Sequence, residues 1–220
     1  MIKNLMRASM AAALALAPLA LSAPTAYAVE TVPIAVGVSR LAVENESREG
    51  YNRDLFRHWN TGLDAADGCN TRAEVLVSEA VTVPGVGARC ALTGGSWWSY
   101  YDDVRVTSAS ALDIDHMVPL AEAWDSGASG WTSARREAYA NDQGADASLV
   151  AVTARSNRSK SDQDPAEWLP PSADALCRYA AEWTATKLRW NLAVDEAEQD
   201  RLYLIAAGCN ETTVSYEPAP

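Results

Sequence analysis

Histidine is scarce in this chain: of 220 residues only His58 and His116 are histidine. No H-E-x-x-H run occurs, which removes the peptidase pattern of two metal-binding histidines on one helix face. No C-x-x-C pair occurs among the four cysteines, which argues against a four-cysteine zinc site. Beyond residue 28 no apolar run approaches the roughly 20 residues of a membrane-spanning helix. Basic side chains are also in deficit, 18 against 29 acidic ones, giving a formal charge of −11. Such a surface repels polyanions at long range and counts against a nucleic-acid partner if the charge is evenly spread.

It is not evenly spread. Residues 130–190 hold eight basic and eight acidic side chains. Half of the basic residues beyond residue 28 therefore fall in one balanced stretch, and the acidity sits elsewhere, where it keeps a protein soluble.

The first 28 residues read as a leader. Lys3 and Arg7 precede the apolar run Ala8 to Leu21, and Ala26-Tyr27-Ala28 fits a small-x-small cleavage site. The expectation is a signal peptide over 1–28, a mature chain from Val29, and a secreted, extracellular product with no membrane anchor. No cysteine follows the apolar run, so no lipid anchor is expected either. Four cysteines in an exported chain read as two disulfides. Of the three pairings, the sequence-local one, Cys69 with Cys90 and Cys177 with Cys209, closes modest loops worth about 3 kcal/mol each. The remaining length suits one domain over 29–209, monomeric, with a disordered tail over 210–220.

Along the chain, an apolar helical segment is expected around Leu41. Tyr51, Leu55, Phe56 and Trp59 recur at near-helical spacing. Glu74 to Val77 and Ala80 to Val83 read as a strand pair. Ala111 to Met117 alternates as a strand with Leu112 and Ile114 inward, and Leu149 to Val152 suits a second strand. Helices are expected over Thr132 to Ala140, from Asn157 and over Ala173 to Trp190. Asp195 caps a last helix ending near Ala207.

The chemistry concentrates in Asp113-Ile114-Asp115-His116-Met117-Val118-Pro119-Leu120 and, 41 residues after the histidine, Asn157-Arg158-Ser159-Lys160. Cleaving a phosphodiester needs a base for water, a cation for the growing charge, and positive groups to hold the strand. Imidazole titrates near neutral pH, so His116 suits the first task. Asp115 and Asn157 offer hard oxygen ligands, and Asp113 could assist. One carboxylate and one amide leave a divalent ion with net positive charge. Arg155, Arg158 and Lys160 lie close enough in sequence to contact the backbone.

Here the chain resembles the HNH, or ββα-metal, nucleases. The D-H-x-x-P and N-R-x-K-S-D elements are similar to those in the HNH domain of RNA-guided DNA nucleases. The wider set, adding Arg136 to Asp142 and Asp164-Pro165-Ala166-Glu167-Trp168-Leu169-Pro170-Pro171, resembles exported HNH proteins that share the C-terminal domain of GmrSD-type restriction enzymes. The resemblance runs from about Tyr51 to Cys209. It implies an α+β fold with a ββα-metal core and flanking helices, and non-specific cleavage of DNA, with RNA as a second substrate, to 5′-phosphate products. It implies His116 as general base, Asp115 and Asn157 as ligands of Mg²⁺ (or Mn²⁺), and Lys160 as a phosphate contact, with Arg158, Arg155 and Arg136 as further substrate contacts. Ser148 stands where compact HNH motifs carry Asn or His, so the middle letter is open and Asn141 is one substitute.

Two other readings stand beside this one. A glycan hydrolase could use two of Asp113, Asp115 and Glu122 over a tryptophan floor and would survive EDTA. An exported binding module with a degenerate HNH core would bind without turnover. Asn157 could simply cap its helix, and Trp97, Trp98 and Trp168 could stack on bases or sugars.

Overall fold

The computed structural model describes residues 28–220, so the leader expected over 1–28 lies outside the described residues apart from Ala28. The chain opens with β1 (Glu30–Pro33) and α1 (Ile34–Ser39), then reaches α2 (Thr71–Ser78). Short strands β2 (Gly85–Val86), β3 (Leu92–Thr93), β4 (Trp97–Ser99) and β5 (Val104–Val106) follow. Then come β6 (Leu112–His116), α3 (Leu120–Asp125), α4 (Ser133–Ala140), β7 (Leu149–Thr153) and α5 (Ala154–Lys160). The chain closes with α6 (Leu176–Trp190), α7 (Glu196–Ala206) and β8 (Thr213–Tyr216). Among the described residues the strands pair as antiparallel ribbons: β1 with β8, β2 with β3, β4 with β5 and β6 with β7.

The β6–β7 ribbon positions the site. Its register runs from Leu112 opposite Thr153 to His116 opposite Leu149. Leu112, Ile114, Leu149 and Ala151 face a small core with Val75, Leu76 and Trp97. Val150 and Val152, on the alternate face of β7, join the larger core around Tyr101, Tyr179 and Trp183. Strand β7 is thus covered on both sides, which suits its aliphatic run Leu-Val-Ala-Val. Helix α5 follows β7 without a loop, because the Thr153 side chain accepts from the Ser156 N–H and caps it.

Disulfides join Cys69 to Cys90 and Cys177 to Cys209, the expected pairing, with Cα–Cα distances of 5.0 and 5.6 Å. The second staples the start of α6 to the chain just past α7.

Four local expectations are corrected. Residues 74–77 lie in α2, not in a strand, because the Asn70 side chain accepts from the Ala73 N–H and starts a helix that buries Thr71, Val75 and Leu76. Residues 51–59 form a 3₁₀ turn (Arg53–Leu55) and extended chain rather than a helix; Phe56 is buried and Leu55 is exposed. Helix α1 ends before Leu41, which is buried beyond its end.

The fourth correction concerns the tail, which is ordered. Val214 is buried opposite Val32, the Ala219 N–H donates to the Arg189 carbonyl at 2.8 Å, and Arg135 Nη1 donates to the Pro220 carbonyl at 2.9 Å. The alternation Thr-Val-Ser-Tyr gives β8 one apolar face, and β1 supplies its ladder. A fully buried valine contributes about 1.5–3 kcal/mol, and a chain of this size loses roughly 2–4 °C per kcal/mol. Truncation after Thr212 should lower Tm by about 3–12 °C in calorimetry, whereas a dispensable tail would leave Tm unchanged.

Candidate active site

Strand alternation puts Asp113 and Asp115 on the side of β6 opposite Leu112 and Ile114, and α5 packs across that side. Lys160, the last residue of α5, reaches under the strand end. Its Nζ donates to Asp115 Oδ2 at 2.6 Å, to the His116 carbonyl at 3.0 Å and to the Met117 carbonyl at 2.9 Å. All three N–H groups of the ammonium are thereby used, and the side chain is wholly buried. Tyr101 Oη also donates to Asp115 Oδ2, at 2.6 Å. Burial pushes the Asp115 carboxyl up and the Lys160 ammonium down, and each is opposed by the other's charge.

Asp115 Oδ1 has no hydrogen-bond partner among the described residues. Asp115 lines a cavity of about 430 Å³ together with His116, Asn157, Arg158, Arg53 and Asp162. His116 Nε2 lies 2.9 Å from the Ala140 carbonyl oxygen. A carbonyl only accepts, so Nε2 carries the hydrogen and Nδ1 keeps a lone pair. The ring lies between Trp59, stacked at 5.4 Å and 29°, and Tyr139 at 6.5 Å and 21°. Burial, with smaller effects from the charges of Arg53 and Lys160, pushes the imidazole down to about 3 against the Ala140 bond, which favours its charged form.

Asn157 sits in the first turns of α5 and does not cap it, since Thr153 does. Its Nδ2 donates to Asp113 Oδ2 at 3.4 Å, and Arg158 Nε donates to the same oxygen at 3.3 Å. The amide nitrogen is thus directed at Asp113, and the amide oxygen is left available. Asp113 does not line the cavity; it sits behind Asn157.

Several site expectations are corrected. Lys160 cannot reach a substrate phosphate, because its ammonium is sealed against Asp115 and two carbonyls. Arg136 is buried; its Nη1 donates to the Ala128 and Trp131 carbonyls, and its guanidinium lies over Trp124. Asn141 bonds the Arg57 carbonyl and the Asn60 N–H, and so ties down the loop that carries Trp59 rather than entering the cavity. Arg155 does not line this cavity but is exposed at a second cleft across α5, so only the place of the expected contact changes. Glu122 is buried against Lys187 at 2.8 Å, which removes it from any carboxylate pair. Trp97 is core, its indole donating to the Leu76 carbonyl. Tyr51, Arg53, Trp59 and Tyr101 were not singled out for the site. Arg53 sits in an unremarkable polar run, and the Ala140 carbonyl that anchors His116 has no side-chain signature at all.

The donor set fits a hard divalent ion: one carboxylate oxygen, one amide oxygen and an open cavity beside them. A second acidic group, Glu46, Glu122 and Asp125, has carboxylate oxygens within 4.8 Å of one another. Its compensating charge is already present, since Lys187 Nζ lies 2.8 Å from Glu122 and 2.6 Å from Glu198. Burial and the neighbouring Glu122 push Glu46 up to about 8, so that carboxyl holds a proton at neutral pH. Asp115 and Asn157, by contrast, line an open cavity with no lysine ammonium in it.

The family model for GmrSD restriction endonucleases, C-terminal domain, matches residues 88–204, which include Asp115, His116 and Asn157. An uncharacterized secreted protein of Arthroderma benhamiae is 42% identical over 162 residues, covering 74% of this chain and 77% of that protein. No solved structure matches.

Two outcomes follow from the geometry. Removing one member of a buried ion pair costs about 3–5 kcal/mol, so Lys160→Met should lose that much in urea unfolding, while the exposed Arg158→Gln should change stability by less than about 0.5 kcal/mol. If Lys160→Met were as stable as wild type, the ammonium would not be holding the strand end. The His116 imidazole, at about 3 in the fold against 6.5 ordinarily, makes the unfolded chain bind more protons between those values. Stability should therefore fall as pH drops from about 6.5 toward 3, and His116→Gln should flatten that slope; an NMR titration of His116 near pH 6.5 would contradict it.

Proposed function

Because the chain belongs to the family of GmrSD restriction endonuclease C-terminal domains, we propose that it is an exported, metal-dependent HNH endonuclease. Its substrate is DNA, cleaved with little sequence preference, with RNA cleaved secondarily. The observation that carries this reading is the convergence of Asp115, His116 and Asn157 on one cavity flanked by Arg53 and Arg158. On this reading β6, β7 and α5 are the ββα core.

His116 Nδ1 takes a proton from the attacking water. The Ala140 carbonyl then receives the hydrogen bond of the imidazolium that forms. Burial keeps the ring neutral until it is needed, and a bound phosphodiester places negative charge beside it that raises its proton affinity. Asp115 and Asn157 would hold the divalent ion, Mg²⁺ or Mn²⁺, which supplies positive charge at the phosphate and at the leaving 3′-oxygen. Lys160 and Tyr101 occupy Asp115 Oδ2 and leave Oδ1 for the cavity. Asp113 holds the Asn157 amide in orientation. Arg53 and Arg158 draw the strand in; the water oxygen bonds to phosphorus as the bond to the 3′-oxygen breaks, which leaves a 3′-hydroxyl and a 5′-phosphate.

Export is supported by the leader pattern, by the two disulfides and by a relative named as secreted. No described helix is long and apolar enough to cross a membrane.

Plasmid degradation by the chain from Val29, with Mg²⁺ or with EDTA, tests the reading. Wild type should cut with Mg²⁺ and stop in EDTA. His116→Ala should be slower by roughly 10²–10⁴-fold, the usual contribution of a general base, while its circular dichroism is unchanged. Because Arg53 and Arg158 flank the cavity and would contact the strand's phosphates, the rate at limiting substrate should fall between 50 and 200 mM salt. Cutting by His116→Ala at the wild-type rate, or cutting that persists in EDTA, would rule the assignment out.

A further inference from the structure

Helix α5 separates two cavities. Asn157 and Arg158 face the one that holds His116. Arg155 and Ser159 face the other, a cleft of about 380 Å³ that is also lined by Asp102, Val104, Trp168 and Leu169. At 100° per residue the two sets project from opposite flanks of the helix, and the exposed crest between them is bracketed by Arg158 and Arg155. Both arginines are exposed, and their three-residue spacing sets them one turn apart.

The cleft has the chemistry of a base site rather than a phosphate site. Trp168 supplies an aromatic surface and is held in place: its indole Nε1 donates to Ser159 Oγ at 3.2 Å, and its ring packs on Tyr101 at 5.3 Å and Tyr179 at 5.7 Å. Val104 and Leu169 add apolar lining. Asp102 is the cleft's acid. It accepts from Ser99, Thr153 and Ser156, so hydroxyls rather than a cation satisfy it. A carboxylate there repels a phosphate but accepts from the amino group of a neutral base. Arg155 at the rim is placed for the phosphate that the cleft rejects. A volume in this range matches small-ligand sites.

Resting on the nuclease reading above, we propose that this cleft is a nucleobase subsite. A single strand crosses the crest of α5 with its phosphates on Arg158 and Arg155, and an unpaired base a nucleotide or two from the scissile bond stacks against Trp168. A helix with its side chains is about 10–12 Å across, which sets that displacement. Duplex DNA must unpair locally to fill the cleft, so the proposal makes the protein prefer unpaired substrates.

Synthetic single-stranded DNA oligonucleotides, each with one abasic position stepped along the strand, test this. Two readouts are taken: kcat/KM of wild type with Mg²⁺, and equilibrium binding by His116→Ala. Stacking of one base is worth enough that an abasic site at one offset should lower both by about tenfold. Trp168→Leu should abolish that sensitivity, and Arg155→Gln should weaken all oligonucleotides alike and reduce the salt dependence. The wild-type scan needs no variant, so a poorly folded Trp168→Leu does not block the test. Cleavage with no abasic-sensitive position, or a duplex cut as readily as the unpaired strand, overturns the subsite and leaves the nuclease standing. Abasic-sensitive binding without cleavage overturns the nuclease reading and keeps the subsite.

Discussion

The ammonium of Lys160 is the joint on which the candidate site depends. It brings the end of α5 to the end of β6 and satisfies three acceptors at once: the Asp115 carboxylate and the carbonyls of His116 and Met117. Without it, two strand-end carbonyls would face a buried space unpaired, the Asp115 carboxylate would keep only the Tyr101 hydroxyl, and the helix that carries Asn157 would lose its register against the strand that carries Asp115. The same bond decides which face of the carboxylate is free. Oδ2 is consumed by Lys160 and Tyr101, so Oδ1 is the oxygen left for the cavity. The geometry of the candidate site and local stability are therefore one arrangement here.

His116 is fixed in a comparable way from the other side. A carbonyl at the end of α4 sets its tautomer, and Trp59 and Tyr139 lie along its two faces. Trp59 holds a left-handed backbone angle, φ 60°, which a bulky residue adopts only where its surroundings impose it. Asn141 supplies part of that constraint by binding the Arg57 carbonyl and the Asn60 N–H on either side of Trp59. The imidazole is thus held by the end of α4 and by the loop that carries Trp59, two segments distant from each other in sequence.

Much of this was legible in the chain. The alternation of Leu112 to His116 and the apolar run from Leu149 point to the ribbon, and the run from Asp115 to Pro119 points to the strand end that lines the cavity. What was not legible has a common cause. The sequence offers Lys160 and Arg136 as substrate contacts, yet the Arg136 hydrogen bonds and two of the three Lys160 hydrogen bonds are spent on backbone carbonyls, which leave no trace in side-chain identity. Residues 74–77 look like a strand by local preference, but Asn70 caps them into a helix whose buried face is set by Thr71, Val75 and Leu76. The tail was read as disordered from its position; its strand partner, β1, lies near the opposite end of the chain. Long-range pairing of this kind decides the outcome and is invisible in a local window.

Among the described residues, two acidic locations could take a divalent ion: Asp115 with Asn157, and the group of Glu46, Glu122 and Asp125. Paramagnetic broadening by Mn²⁺ in the isotope-labelled chain distinguishes them directly. Substoichiometric Mn²⁺ should broaden amides around 113–117 and 154–158 first and saturate at one ion per chain. Broadening centred instead on Glu46, Glu122 and Asp125, with residues 115 and 157 unaffected, would contradict the assignment of the ion to Asp115 and Asn157.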